Sequence, residues 1–475
     1  MPVSQDLAQG KSNEFVSIAD RFRKSFTVDD DKLRLLSHSK RFLERWTADA
    51  SFRQPVLDET MSLEEAGALC GCEIDVHSLL PVFHTDYTIY RATATMEDWP
   101  LTYMWDDHLR ELLRTRDMIP AQGSSRGKTL QFDMWRARNM NRAALQLDVA
   151  ASGITHPPVT FELSSGCSVG CWFCGISAKK FKGHASLLNG GDIEWRKTVE
   201  AVKSILGDGL ENGFCYWATD PLDNPEYMDF IEIFEDITGI VPQVTTAIPL
   251  RNIELTRAVI EKWKTNRSMP NRFSVMTKRQ LLEIHKTFSP EDLFGVEIVL
   301  QTGGEGAVTK FAAGKNMTNP AKKEKSLEGT IACVTGFLIN ILEKNVKLIS
   351  PTMPSETWPD GYIIYASYEY SDADDLKRIL DHIVANDMKV NMSGGKSIRI
   401  ADGGTYNRDR DPEAIKFRRL QISNEFINLV GDQLSSGDNT PISITKSCLE
   451  KGMTPIAAIG SLERMWQEGL IVQEI

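Results

Sequence analysis

The sequence predicts an α/β protein: an open, six-stranded barrel with a helical region before it and a small helical module after it. Three observations carry this expectation. The first ~150 residues space their apolar positions by three and four; from about residue 157 short β-branched runs alternate with amphipathic helices; and from about residue 408 the pattern returns to helix. The expected units are a helical N-terminal region over 1–155, the barrel over 156–405 and a C-terminal module over 406–475. A chain of 475 residues is too long for one ordinary core, so two or three domains are expected.

In the front region, "DKLRLLSHSKRFLERWTAD" places Leu33, Leu36, Phe42 and Trp46 on one stripe, and "WPLTYMWDDHLRELLRTRDM" and "LQFDMWRARNMNRAALQLDVAAS" repeat the habit. No dinucleotide-type glycine pattern occurs there. The N-terminus lacks the apolar segment of a signal peptide, which makes a cytoplasmic location the expectation. No apolar run approaches the ~20 residues that span a bilayer, so no membrane partner is expected. The net charge of −11 argues against general nucleic-acid binding, which needs a basic footprint.

The barrel strands are expected at "PVTFELS" (158–164), "GFCYWAT" (213–219), "PQVTTAI" (242–248), "RFSVMT" (272–277), "GVEIVLQ" (295–301) and "VKLISPT" (346–352). Between them lie the helical patterns "EWRKTVEAVKSILG", "PEYMDFIEIFEDI", "NIELTRAVIEKWK", "KRQLLEIHKTF" and "LEGTIACVTGFLINILEK", with "DADDLKRILDHIVAND" after the last strand. Right-handed strand–helix repeats make a parallel barrel, and six units fall short of the eight that close one. The tail "TPIAAIGSLERMWQEGLIVQEI" predicts a helix running into a short strand, either half of a winged-helix module or a plain cap.

The stretch "ELSSGCSVGCWFCGIS" spends three of the eight cysteines within eight positions: Cys167, Cys171 and Cys174. They follow the first strand, at the carboxyl edge where α/β proteins place their chemistry. In a reducing compartment, clustered cysteines favour metal or redox chemistry over disulfides. Four thiolates saturate a [4Fe–4S] cluster; three leave one iron open for a small molecule. A structural zinc is the competing account, with His184 or His156 as fourth ligand, although neither stands at a compact knuckle spacing.

The C-x3-C-x2-C pattern, with the aromatic Phe173 before its last cysteine, resembles the signature of the radical S-adenosylmethionine superfamily. The resemblance covers roughly residues 156–400. It implies a partial TIM barrel of the radical SAM type, a [4Fe–4S] cluster on Cys167, Cys171 and Cys174, and S-adenosyl-L-methionine bound through its amine and carboxylate. It further implies reductive cleavage to a 5′-deoxyadenosyl radical, fed by an external flavodoxin- or ferredoxin-type electron donor. The family's Gly-Gly-Glu-like element at the end of the second strand is here "WATDPLDNP", so Thr219 and Asp220 take the amine-binding role. On the fourth strand the resemblance gives Arg272 to the SAM carboxylate and Ser274 to a hydroxyl contact; Thr246 lines the same mouth.

With only Cys448 beyond residue 333, a Cys-rich extension carrying further clusters is excluded. The remaining arrangement, with "YWATDPLDNP", resembles the radical SAM epimerases that mature proteusin-type ribosomal peptides. That resemblance implies isomerase activity: L-residues of a precursor peptide with a leader segment become D-residues. Inversion needs a hydrogen donor on the face opposite the radical, and a thiol suits it. Cys70, Cys72, Cys215, Cys333 and Cys448 are the candidates. Cys333 is the expected donor, placed in the first turns of a helix after strand five, where the helix end modulates the thiol. The loop "TGGEGAVTKFAAGKNMTNPAKKEKS" (302–326) is the expected lid. Alternatives are another single-cluster peptide modification, such as cross-linking or decarboxylation, and an RNA modifier.

Overall fold

Helix caps and apolar stripes fix the front region of this computed structural model, which describes residues 18–147, 151, 153–266, 269–301, 310–317, 326–401, 429–430, 433 and 440–473. Helix α1 spans Ile18–Phe26. Helix α2 (Asp30–Ala48) starts where the Asp29 carboxylate accepts the Lys32 N–H, and it buries Leu36, Phe42 and Trp46. Helices α3 (Ala50–Leu57), α4 (Leu63–Leu69), α5 (Leu80–Phe83), α6 (Pro100–Gln122) and α7 (Leu130–Leu147) follow. The expected all-helical front is what forms, and among the described residues no helix is long and apolar enough to cross a membrane.

Beyond it, strands and helices alternate. Strand β1 (Val159–Glu162) is followed by the two-residue pair β2 (Ser164–Ser165) and β3 (Gly183–His184) and by helix α8 (Gly191–Leu206). Next come α9 (Tyr227–Thr238), β4 (Thr245–Thr246), α10 (Ile253–Thr265), β5 (Asn271–Val275), α11 (Lys278–Thr287) and β6 (Val296–Leu300). Strands β4, β5 and β6 form a parallel sheet in that order. A second sheet has the order β1-β7-β8-β9, with β7 at Gly336–Asn340, β8 at Asn345–Pro351 and β9 at Tyr362–Glu369. A parallel bridge from Thr160 to Phe214 extends β1 on its other side. No closed barrel forms among the described residues.

Three expectations need correction. Residues 327–344 were expected as a helix, yet 336–340 are strand β7, parallel to β1 with Val159 opposite Phe337. All five residues of "GFLIN" are buried, because β7 lies between β1 and β8 with both faces covered. A strand buried on both faces loses its alternation, and its apolar run mimics a buried helix. Likewise 346–352 does form a strand, but antiparallel to β7, since only the turn 341–344 separates them. The run 213–219 contributes one bridge at Phe214 rather than a regular strand.

Helices α7, α8, α9 and α12 (Ala373–Asn386) cover one face of the four-stranded sheet. Phe132, Trp135, Phe161, Trp195, Phe230, Phe234 and Phe337 pack there. The other face carries Phe214, Trp217, Val334, Leu338 and Ile349. Helix α2 lies antiparallel along α11, tied by Lys278 to Asp49 at 3.1 Å, His285 to Glu44 at 3.1 Å and His38 to Glu291 at 2.9 Å. The C-terminal module joins β10 (Ile398–Ile400), α13 (Pro441–Glu450), α14 (Pro455–Gln467) and β11 (Ile471–Gln473), the expected helix running into a short strand. Its Trp466 lies under the Arg138 guanidinium of α7, 4.0 Å from the ring centre. The expected boundary at 405 falls outside the described residues.

His108 of α6 sits stacked on Phe294 at 5.1 Å and edge-on to Phe26 at 5.4 Å. Burial first, then Lys32, lowers its pKa from 6.5 to about 4. An imidazole that resists protonation only when folded contributes stability that is complete above pH 6.5 and is lost as pH falls toward 4. His108→Phe, which keeps the ring packing, is expected to remove about 2–3 kcal/mol of the stability lost between neutral and mildly acidic pH. Urea unfolding midpoints at the two pH values measure it; an unchanged pH slope would reject the assignment.

Candidate functional site

Cys167, Cys171 and Cys174 lie on the loop that leaves β2, beyond the carboxyl end of β1, as the sequence predicts. All three are partly exposed. The loop closes on itself: the Cys167 N–H donates to the Lys179 carbonyl at 2.9 Å, and the Ala178 N–H donates to the Cys174 Sγ at 3.3 Å. Burial, followed by the charges of Asp220 and Asp223, raises the Cys167 thiol to about 11. Among the described residues no three His, Cys, Asp or Glu side chains converge as a site for a single metal ion.

The residue that anchors this loop escaped the sequence-based expectation. Asp223, with 2% of its side chain exposed, accepts the Ser168 N–H at 2.8 Å and the Ser168 hydroxyl. Arg251 completes the clamp, its Nη1 lying 2.8 Å from Asp223 and 2.7 Å from the Ser168 Oγ. Asp220, three residues earlier, is also buried. Its carboxylate accepts from the Thr246 hydroxyl at 2.8 Å, the Ala247 N–H at 2.7 Å and the Leu222 N–H at 3.1 Å. Burial outweighs these bonds and pushes its pKa up to about 6. Thr246, 1% exposed, thus orients Asp220 and joins the end of the 213–219 run to β4. Thr219 is partly buried beside it.

A second missed carboxylate ends β1. Glu162 accepts the Ala218 N–H and an Asn340 amide N–H, each at 3.0 Å, and burial raises its pKa. A charged residue closing the apolar run 158–161 is the local signal by which it could be found. Nothing local marked the Asp223–Arg251 pairing, because the partners are far apart in the chain.

Arg272 and Ser274 occupy alternate positions of β5, so they share one face. Arg272 stands opposite Glu297 of β6 and donates through Nε at 2.6 Å, a cross-strand ion pair. Its side chain is 47% exposed. Tyr216 and Cys333 interact electrostatically with Arg272. The Tyr216 hydroxyl donates to the Gln243 side-chain Oε1 at 2.6 Å and lies 2.8 Å from the Thr245 hydroxyl.

Cys333 is not on a helix. It lies on the irregular segment leading into β7, where the Thr335 N–H donates to the Pro157 carbonyl. No helix end modulates the thiol; burial raises it to about 12, and Arg272 opposes the rise. Cys215 and Cys448 are fully buried in separate cores. His156 cannot join the cysteine loop: it precedes β1 at the opposite edge and contacts the Thr335 hydroxyl at 2.7 Å. His184 on β3 contacts its neighbour's carbonyl, that of Ala185, at 3.0 Å.

Of the expected lid, only 310–317 and 326 lie within the described residues. The piece 310–317 rests on the cysteine loop, with the Lys315 N–H donating to the Cys174 carbonyl at 3.0 Å. Gly314 is required by contact: a Cβ there would stand 2.5 Å from the Cys174 carbonyl oxygen. Lys310 lies over the ring of Phe173, 4.4 Å from its centre, a cation–π contact.

An uncharacterized protein, y4wI, from Sinorhizobium fredii (strain NBRC 101917 / NGR234) is 33% identical to this chain over 462 residues, covering 94% of the chain and 89% of the relative. The chain belongs to the y4wI family. No protein-family model and no solved structure matches it. The 94% span takes in the front region and the cysteine loop of this y4wI-family chain together.

Asp223→Ala leaves Ser168 and Arg251 without their shared acceptor. It is expected to cost about 1–3 kcal/mol of stability and to speed alkylation of Cys167 relative to buried Cys215. Alkylation followed by peptide mass mapping measures the ratio; no change would show that the clamp does not hold the loop.

Proposed function

We propose that this chain is a radical S-adenosylmethionine enzyme that epimerises residues of a ribosomally made precursor peptide in the cytoplasm, on an open six-stranded partial barrel. The observation that carries the proposal is the placement of Cys167, Cys171 and Cys174 on one loop at the carboxyl end of β1, beside the buried carboxylate Asp220. The donor set fits the implied cluster. Three separate thiols on one loop, with the Ala178 N–H donating to the Cys174 sulfur, suit a cubane, which takes one thiolate at each of three irons. Cys167, Cys171 and Cys174 would hold the cluster, which together with S-adenosylmethionine would supply the hydrogen-abstracting chemistry at the Cα of an L-residue.

The chain's own residues then have four tasks. The Asp223–Ser168–Arg251 clamp holds the thiol loop in place. Asp220 presents negative charge for the amine of S-adenosylmethionine, with Thr219 beside it and Thr246 fixing the carboxylate. The three bonds Asp220 already accepts leave room for about one more at a carboxylate. Arg272, with Ser274 on the same face, offers a guanidinium to a carboxylate; its single Nε contact with Glu297 leaves its other donors to a ligand. Lys310 and the 310–317 segment cover the Phe173 side of the loop and exclude water.

Cys333 returns hydrogen. Among the five cysteines outside the loop it is the one that interacts electrostatically with Arg272 and Tyr216. Its S–H bond breaks as a new C–H bond forms on the opposite face of the planar carbon. The sulfur radical left behind takes one electron from an external flavodoxin- or ferredoxin-type donor and one proton from water. Burial keeps the group as a thiol, the form that holds a transferable hydrogen.

Incubation of the reconstituted enzyme with S-adenosylmethionine, reductant and precursor peptide in D2O is expected to add one deuterium per inverted residue and to release D-amino acids on hydrolysis. Loss of mass without solvent deuterium would instead mark a cross-linking or decarboxylating enzyme. Cys333→Ala is expected to retain S-adenosylmethionine cleavage and lose net inversion, read by chiral amino-acid analysis. D-residues formed at the normal rate would remove Cys333 from this role.

A further inference from the structure

The cysteine loop is built against a run of lysines. Strands β2 and β3 pair antiparallel, Ser164 opposite His184 and Ser165 opposite Gly183. Just before β3 the chain returns along the loop it has made. The Cys167 N–H donates to the Lys179 carbonyl and the Lys182 N–H to the Ser165 carbonyl, each at 2.9 Å, and a parallel bridge joins Cys167 to Lys180. Backbones paired in this way run about 5 Å apart, so residues 179–182 travel beside the first cysteine. Gly166 permits the approach, since a Cβ there would stand 2.3 Å from the Lys180 carbonyl oxygen. Lys180 and Lys182 are exposed and Phe181 between them is partly buried, the alternation of an extended chain, which sets both lysines on the outer side.

The charge of this face opposes that of the whole chain. Lys179 is exposed as well, and among the described residues none of the three lysines forms an ion pair, whereas Lys344 is paired with Glu194 at 2.9 Å. Glu343 stands next to them, since its carboxylate accepts the hydroxyl of the same Ser165 at 2.5 Å. That bond holds the Glu343 carboxyl below its ordinary range against burial, and Lys179 and Lys182 add to the effect. Three lysines beside one carboxylate leave a local positive excess on a chain whose net charge is −11. Apolar side chains are exposed there too. Trp172, 50% exposed, stands on the loop between Cys171 and Phe173 and meets the Phe173 ring edge-on at 5.1 Å. Leu342, 40% exposed, lies against Gly183. An exposed tryptophan with a charged surround is the composition of a protein interface.

We propose that the face carrying Lys179, Lys180 and Lys182, with Trp172 of the adjoining loop, docks a small acidic electron-carrier protein. The inference rests on the radical reading of Cys167, Cys171 and Cys174, which requires an electron from outside. An acidic carrier is repelled by the chain as a whole and attracted at this face, so charge sets both the place and the orientation of the encounter. Nucleic acid meets the same overall repulsion without the broad basic footprint it needs. One electron leaves the carrier and enters at the cysteine loop; no covalent bond forms or breaks in the transfer, and the oxidised carrier departs. Because the lysines are exposed, the attraction is screened by salt, with a reach of about 10 Å at 0.1 M and about 3 Å at 1 M.

Purified oxidised flavodoxin is the probe. It is mixed with the full-length protein, coupled by carbodiimide, digested and mapped by mass. Cross-links are expected on Lys179, Lys180 or Lys182, and their yield is expected to fall about fivefold or more between about 0.05 M and about 0.5 M salt. Lys180→Glu combined with Lys182→Glu is expected to weaken flavodoxin binding about tenfold at the lower salt, read by titration calorimetry. In the reconstituted enzyme the same double variant is expected to cleave S-adenosylmethionine about tenfold more slowly when reduced flavodoxin supplies the electron, and at the unmodified rate when dithionite does. Cross-links confined to other lysines, equal binding by the variant and the parent, or binding that ignores salt would overturn the docking face. RNA retained at low salt in preference to flavodoxin would overturn the choice of partner. Absence of dithionite-driven cleavage in the parent protein would overturn the radical reading instead, and the cross-linking and calorimetry would still decide the face.

Discussion

The cysteine loop keeps its place because two buried carboxylates, three residues apart, face different partners. Asp223 reaches back to the loop through Ser168, while Asp220 reaches across to β4 through Thr246 and Ala247. Between them they join three parts of the chain that no regular strand pairing connects among the described residues: the loop after β2, the irregular 213–219 run and the edge of β4. The energetic logic lies in what removal would leave behind. A buried acceptor with several donors contributes modestly net, but those donors lose far more when it is deleted. Arg251 is half exposed, so its charge matters less than the buried oxygen atoms it steadies.

The helical flank is held to the strand-bearing region by a ladder rather than by one contact. Along α2 the groups His38, Arg41 and Glu44 and the following Asp49 meet Glu291, the Phe288 carbonyl, His285 and Lys278 in antiparallel order. Burial penalises the charged forms, and at Glu44 the partners Lys40 and His285 outweigh that penalty. The Cys70–Cys72 turn lies on the same flank, with Arg41 common to both.

Much of the architecture was legible from spacing. Helices α2, α8, α9, α10, α11 and α12 arise where amphipathic periodicity put them, since each presents one apolar stripe to a sheet or helix. Asp29, Ser62, Asn252 and Thr277 cap helices as their side-chain chemistry favours. Strand β7 was illegible for a physical reason: Phe337, Leu338 and Ile339 all face protein, so no period distinguishes strand from helix. The three thiols were legible because their ligand-like spacing is local. Their clamp was not, because Asp223 and Arg251 meet Ser168 only through the fold. Cys333 fell between these cases: the residue was visible, but its setting depended on the misread strand.

The register of β1 with β7 has a consequence for synthesis. Val159 pairs with Phe337, so the backbone polar groups on that edge of β1 stay uncovered until the chain has been made well past residue 337. A nascent polypeptide therefore carries an exposed sheet edge beside its thiol loop until β7 has been made. Long-range parallel pairing of this kind is slow to form and prone to association while it waits. Ribosome-associated chaperones that shield open strands would guard this interval, and the apolar β7 run is the piece whose arrival ends it.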